Sequence, residues 1–206
     1  IFSGATLTIE PDVVVKFSYT TELNLEGALN AIGTMEQPIR FTSIADDTAG
    51  GDTNGDGNAS ISRYADWEGI FLLPGASATI QHASIRYGGI YQCSFTCISR
   101  ALIQNFGGML TLTNVELSPF APYIDNLAQF GGSTTIINSR ISEARDGIVV
   151  SGGTLMIHGS SIAGHLGYRL RNNTGSTIDA TNNWWGHAGG PQHDTNLGGN
   201  GGRILG

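Results

Sequence analysis

Short runs in which apolar and polar residues alternate recur along the chain: TLTI at 6–9, VVVKF at 13–17, LNL at 23–25, MLTLT at 109–113, TTII at 134–137 and TLMI at 154–157. A period of two marks a strand that buries one face. These runs are spaced by glycines at positions 4, 27, 75, 108, 132, 153 and 175. From Gly108 onward the spacings are 24, 21 and 22 residues, and Gly4 precedes Gly27 by 23. Aligning on the glycines returns aliphatic residues in columns. Ile70, Ile103, Leu127, Ile148 and Leu170 stand five before an anchor, and Leu112, Ile136 and Ile157 stand four after. Leu117, Ile141 and Ile162 stand nine after, with Trp184 in the same place behind Gly175.

Three columns in each 21–24 residues predict three short strands per turn of a repeating coil. A lone coil cannot bury its inner face, but stacked coils can, each strand pairing with its equivalents ~4.8 Å above and below. The expected fold is therefore all-β, a parallel β-helix. An antiparallel sandwich accounts for the strand lengths equally well, but not for like residues returning in three columns at one period. The 33 residues from Gly75 to Gly108 and the 48 from Gly27 to Gly75 read as coils with insertions. One domain over residues 1–206 is expected, with inserted loops near 44–66 and 88–99 and a closing loop near 186–203. Asn114 and Asn138 share a column position that suits a turn with amides stacked along the axis, and Gly159 follows them there. Trp184 is expected to continue the aliphatic column and cover the end of the core, since terminal repeats must hide apolar residues and strand edges.

Composition supports this pattern. Thirty glycines, abundant Thr, Ile, Ser and Asn, and only 13% charged residues are unlike a helical protein. The balance of 10 basic and 17 acidic residues, net −7 with Lys16 the only lysine, argues against nucleic acid and against an anionic membrane surface. No apolar run approaches the length of a bilayer span. The chain opens mid-pattern at Ile1-Phe2-Ser3-Gly4, as a piece of a longer polypeptide would. Cys93 and Cys97 could close a small disulfide loop in an oxidising compartment, the alternative being two reduced thiols.

Three segments carry a resemblance. GATLTIEPDVVVKF near the start, DWEGIFLLPGASATIQHASIRYGG in the middle and ATNNWWGHAGGP at 180–191 resemble right-handed parallel β-helix repeat proteins, the pectate-lyase-like superfamily, in the form found in large bacterial extracellular and surface proteins. The resemblance covers nearly the whole chain. It implies right-handed coiling and a secreted or cell-surface location, but it does not settle function, because the superfamily hosts lyases, hydrolases, adhesins and inert stalks.

The sharpest local chemistry is GGDTNGDGNAS at 50–60. Asp52, Asn54 and Asp56 occupy positions 1, 3 and 5 of a calcium-loop pattern, with Gly57 at the turn, the Asn58 carbonyl at 7 and Ser60 at 9. Arg63 stands where a bidentate Glu belongs, so Asp46, Asp47, Asp66 or Glu68 would have to supply the missing oxygen. The other reading is a solvated acidic loop that needs no metal.

Catalytic groups are scattered: His82 and Arg86 in one repeat, and Glu143, Arg145 and Asp146 in another. Glycoside hydrolysis needs paired carboxylates and lyase chemistry needs a positioned base, and neither recurs in adjacent columns. His187, His193 and Asp194 lie in a Gly/Pro loop that does not fix them as ligands, and Trp184 and Trp185 could stack on sugar rings. The expectation is a non-catalytic extracellular β-helix, calcium-stabilised, serving adhesion, binding of polysaccharide or cell-surface glycan, or rigid presentation of neighbouring domains. The alternative is a polysaccharide lyase or glycoside hydrolase domain.

Overall fold

The computed structural model describes residues 1–93 and 97–206, leaving the side chains of 91–99 outside that description. The described chain is all-β, without a helix. Fifteen strands form one sheet that does not close into a barrel, and all its strand pairings are parallel. The remaining two strands, Ile90–Cys93 and Cys97–Arg100, form an antiparallel hairpin in the segment expected to be a loop. Whether Cys93 and Cys97 are bonded concerns side chains outside the described residues.

Pairing runs in three ladders that the chain visits in turn. In the first, Leu23 pairs with Ile70, Ile70 with Ile103, Ile103 with Leu127, Leu127 with Ile148, Ile148 with Leu170 and Leu170 with Ile204. In the second, Ile9, Ala31, Ile80, Leu112, Ile136 and Ile157 follow one another in register. The third places Val15 against Phe41, then Ile85, Leu117, Ile141 and Ile162. All but the end residues of these columns are buried in one continuous core. Side chains alternate across a strand, so in-register stacking sends the whole set inward together.

Some strands are longer than expected. Ile103–Ser118 and Leu127–Ile137 run through corners, where the pairing shifts register between Asn105 and Met109 and skips Asn114. At one bend the Asn105 side chain is fully buried. Its Oδ1 accepts from the amides of Gly107 and Gly108 and its Nδ2 reaches the Gly108 carbonyl, so the turn's polar groups are satisfied inside the core. The next corner is held by left-handed backbone at His82, Asn114, Asn138, Gly159 and Asn182, with φ between 46° and 62°. Only glycine and, less readily, short polar residues visit this region at low cost. The axial contact at this corner joins Asn114 Nδ2 to His82 Nε2 at 3.2 Å, in place of the expected Asn114–Asn138 amide stack.

The closing end differs from expectation by one residue. Trp184 pairs with Ser161, not with Ile162, and is half exposed, whereas Trp185 is 5% exposed and belongs to the core. A one-residue shift exchanges the two faces of a strand, so Trp185 lies over the Ile162 column.

Candidate functional site

The loop 46–66 folds back on its stem. Asp52 Oδ1 accepts from the amides of Gly55 and Asp56, and Oδ2 from Gly57 at 2.8 Å. The Gly57 amide, together with those of Gly55 and Asp56 and the charge of Lys16, holds the Asp52 carboxyl below its ordinary pKa. Carboxylate oxygens of Asp47, Asp52 and Asp56 lie within 4.8 Å of one another. Oxygens bound to a single cation at 2.3–2.6 Å can be no more than about 4.6–5.2 Å apart, so this group could hold a metal. Asp47 is the stem residue that joins. Asp46 is committed to the hydroxyls of Thr42 and Thr48, and Asp66 to Ser43 Oγ and the Arg63 amide. Asp47 Oδ1 is buried without a hydrogen-bond partner. Asn54 Nδ2 donates to Asp56 Oδ2 at 3.0 Å and to Ser60 Oγ at 2.9 Å, so its side chain borders the group with the nitrogen turned toward it, while Asn58 is exposed beside it. Lys16 Nζ donates to the Gly51 carbonyl at 2.5 Å and ties the loop to the strand Val14–Phe17.

A second site lies on the outer face of the third ladder. Register places Arg40, Ser84, Glu116 and Arg140 in one outward row, with Arg86 two residues beyond Ser84 on the same face. With His82, Asn114 and Asn138 from the corner, these residues line a groove of about 430 Å³. Arg86 Nη2 donates to Glu116 Oε2 at 2.7 Å. Arg40 and Arg140 form no ion pair among the described residues. Sequence reasoning found His82 and Arg86 but missed Glu116, Arg40 and Arg140.

Glu143, Arg145 and Asp146 tie one level to the next. Arg145 grips Asp125 through Nε and Nη2 at 3.0 and 2.8 Å, and the Asp146 amide donates to Asp125 Oδ1. Asp146 accepts from the Tyr168 amide at 2.7 Å and meets Arg171 at 2.7 Å as a charge contact. Burial raises the Asp125 carboxyl above its ordinary pKa, against the pull of Arg145. Glu143 accepts from Ser118 Oγ at 3.3 Å. At the closing end, His187 Nδ1 accepts from the Gly189 amide, while His193 meets Thr195 Oγ1 and the Gly206 carbonyl. These imidazoles do not converge with Asp194, and among the described residues the Asp47 group is the one cluster able to hold a metal.

No family model, no curated protein and no solved structure matches the chain.

Proposed function

We propose that the chain is a right-handed parallel β-helix of the pectate-lyase-like kind. It is a non-catalytic, calcium-stabilised domain of a secreted or cell-surface protein. It serves adhesion, binding of polysaccharide or cell-surface glycan, or rigid presentation of neighbouring domains. The observation carrying this reading is the continuous register of Ile70, Ile103, Leu127, Ile148 and Leu170, which gives a rod whose outward rows are fixed relative to one another. The outward row of the second ladder, Thr8, Asn30, Thr79, Thr111 and Thr135, offers the small polar chemistry of a contact surface.

Calcium is the cation proposed for the 46–66 loop. Its ligands would be Asp47, Asp52, Asp56, the Asn58 carbonyl, Ser60 and, with its side-chain amide turned to present Oδ1, Asn54, all hard oxygen donors. A cation there offsets the repulsion among three carboxylates and stabilises the fold by mass action. With Arg63 in place of a bidentate Glu, affinity should fall in the extracellular range of about 10⁻⁴–10⁻³ M. Melting in calcium and then in excess EDTA tests this. Wild type should melt higher with calcium, and Asp52→Ala/Asp56→Ala should lose the shift. Equal wild-type melting points in both buffers would remove calcium from the proposal.

The groove containing His82, Arg86 and Glu116 favours one second reading, a lyase or hydrolase. Against it, the groove lacks the second carboxylate that glycoside hydrolysis needs, and Glu116 is ion-paired with Arg86. Incubation with pectin, alginate and neutral glycans should release neither unsaturated nor reducing-end products. Product formation that His82→Ala or Arg86→Ala abolishes would establish the enzyme instead.

A further inference from the structure

We infer that the corner following the third ladder holds a binding site for a small methylated ammonium compound, with the Phe120 ring and the Glu143 carboxylate as its contacts. This site is separate from the calcium loop and does not depend on the glycan-binding reading.

The backbone at this corner is left-handed in four successive levels, at Tyr87, Phe120, Glu143 and Gly164, with φ of 62°, 56°, 58° and 80°. Glycine takes this conformation at no steric cost, whereas a bulky residue there is an outlier. Two aromatic residues and a glutamate are thus held where glycine would fit more easily. Strain of this kind collects at ligand clamps, where the side chain so presented has work to do.

Phe120 is 42% exposed, and Tyr87 in the preceding level covers one face of its ring at 5.2 Å between centroids. The stack fixes the ring and leaves its other face toward the Glu143 level. A pocket of about 270 Å³ opens there, lined by Phe120, Pro122, Glu143, Ala144, Gly164 and Leu166. Gly164 ends the column without a side chain, and even a Cβ there would meet nothing nearer than 3.8 Å. The volume lies just below the usual range of small-ligand sites, roughly 300–1,000 Å³, which suits a compact ligand.

Charge selects the ligand class. Glu143 is the only charged side chain in the lining, and it is exposed. Ser118 Oγ donates to its Oε2 at 3.3 Å, and it forms no ion pair among the described residues. The pocket therefore combines an apolar wall, an aromatic face and one uncompensated negative charge. A cation within about 6 Å of a ring centroid is attracted by the negative face of the ring. A methylated ammonium fits better than a bare one, which would lose its water against Pro122, Ala144 and Leu166 and find few acceptors in exchange. A hard metal ion needs several oxygens, and this lining supplies a single carboxylate.

The test is NMR titration of the intact chain with choline and with neohexyl alcohol, its uncharged carbon isostere. Choline should bind with Kd on the order of 1 mM, as expected of so small a ligand. Its methyl protons should move upfield in the ring current of Phe120, and neohexyl alcohol should bind at least fivefold more weakly. Glu143→Gln should melt as wild type does and lose at least fivefold in affinity for choline. Phe120→Leu should abolish the upfield shift; if that variant does not fold, Glu143→Gln alone decides. Equal binding of the two compounds by wild type would overturn the cation assignment. Choline binding that is unchanged in Glu143→Gln would place the site elsewhere, and failure of choline to saturate at about ten times the expected Kd would remove it.

Discussion

His165 Nε2 meets Asn126 Oδ1 at 2.8 Å in the buried interior, where Asn126 Nδ2 is already committed to the carbonyls of Leu117 and Ser142. The amide oxygen is thus the acceptor and the ring carries its proton on Nε2. The other nitrogen, Nδ1, is buried and unpartnered, so a second proton would place charge where nothing accepts it. Burial, with Arg169 nearby, lowers the pKa from 6.5 to about 4.

Because that native pKa is depressed, the unfolded chain takes up a proton between pH 6.5 and about 4 that the folded chain refuses. Stability is full above 6.5 and falls as pH drops through this window, by on the order of 3 kcal/mol. Asp125, shifted upward, contributes in the opposite sense, favouring the fold at lower pH. Urea melts of wild type and His165→Gln across the window should show a clearly steeper loss for wild type. Parallel pH profiles would contradict the assignment.

The two adjacent tryptophans should behave oppositely. Trp185 is buried at the closing end, so Trp185→Ala should cost about 3–5 kcal/mol. Trp184 is half exposed, and Trp184→Ala should stay within about 0.5 kcal/mol. Chemical denaturation of the two variants decides the matter, and equal losses would place both rings in the core.

Two glycines separate backbone conformation from steric room. Gly132 and Gly175 have φ of +67° and +72°, but a Cβ on Gly132 would lie 2.1 Å from the Gly108 carbonyl oxygen while one on Gly175 meets nothing within 4 Å. Gly175→Ala should therefore show only the left-handed penalty of about 1–2 kcal/mol. Gly132→Ala must also push two levels apart and should melt distinctly lower. Similar melting points would mean that the levels yield easily at this corner.

The interior was legible in the sequence because stacking repeats one requirement at every level. Ile103, Leu127, Ile148 and Leu170 must all fill equivalent places, so like residues return at a steady interval. The groove was hidden because outward positions carry no such requirement. Arg40, Ser84, Glu116 and Arg140 differ in type, and insertions make their sequence intervals unequal. Asp47 was one of four stem residues able to complete the acidic group, and only the fold-back of the loop distinguishes it. The Trp184 column failed for a local reason. The Gly175 level shows no strand matching Thr154–His158, only an isolated bridge from Met156 to Asp179, so counting from the glycine drifts by one.

Parallel pairing of segments far apart in sequence also fixes how the protein carries mechanical load. The inter-strand hydrogen bonds of the three ladders lie along the stacking direction, so tension between the first and last levels pulls them end-on. The short Ile204–Leu205 is held from one side only, by Leu170–Asn172, which is itself paired on both sides. Under traction the chain should peel from such a terminus one level at a time, giving a sawtooth of small ruptures instead of one large break.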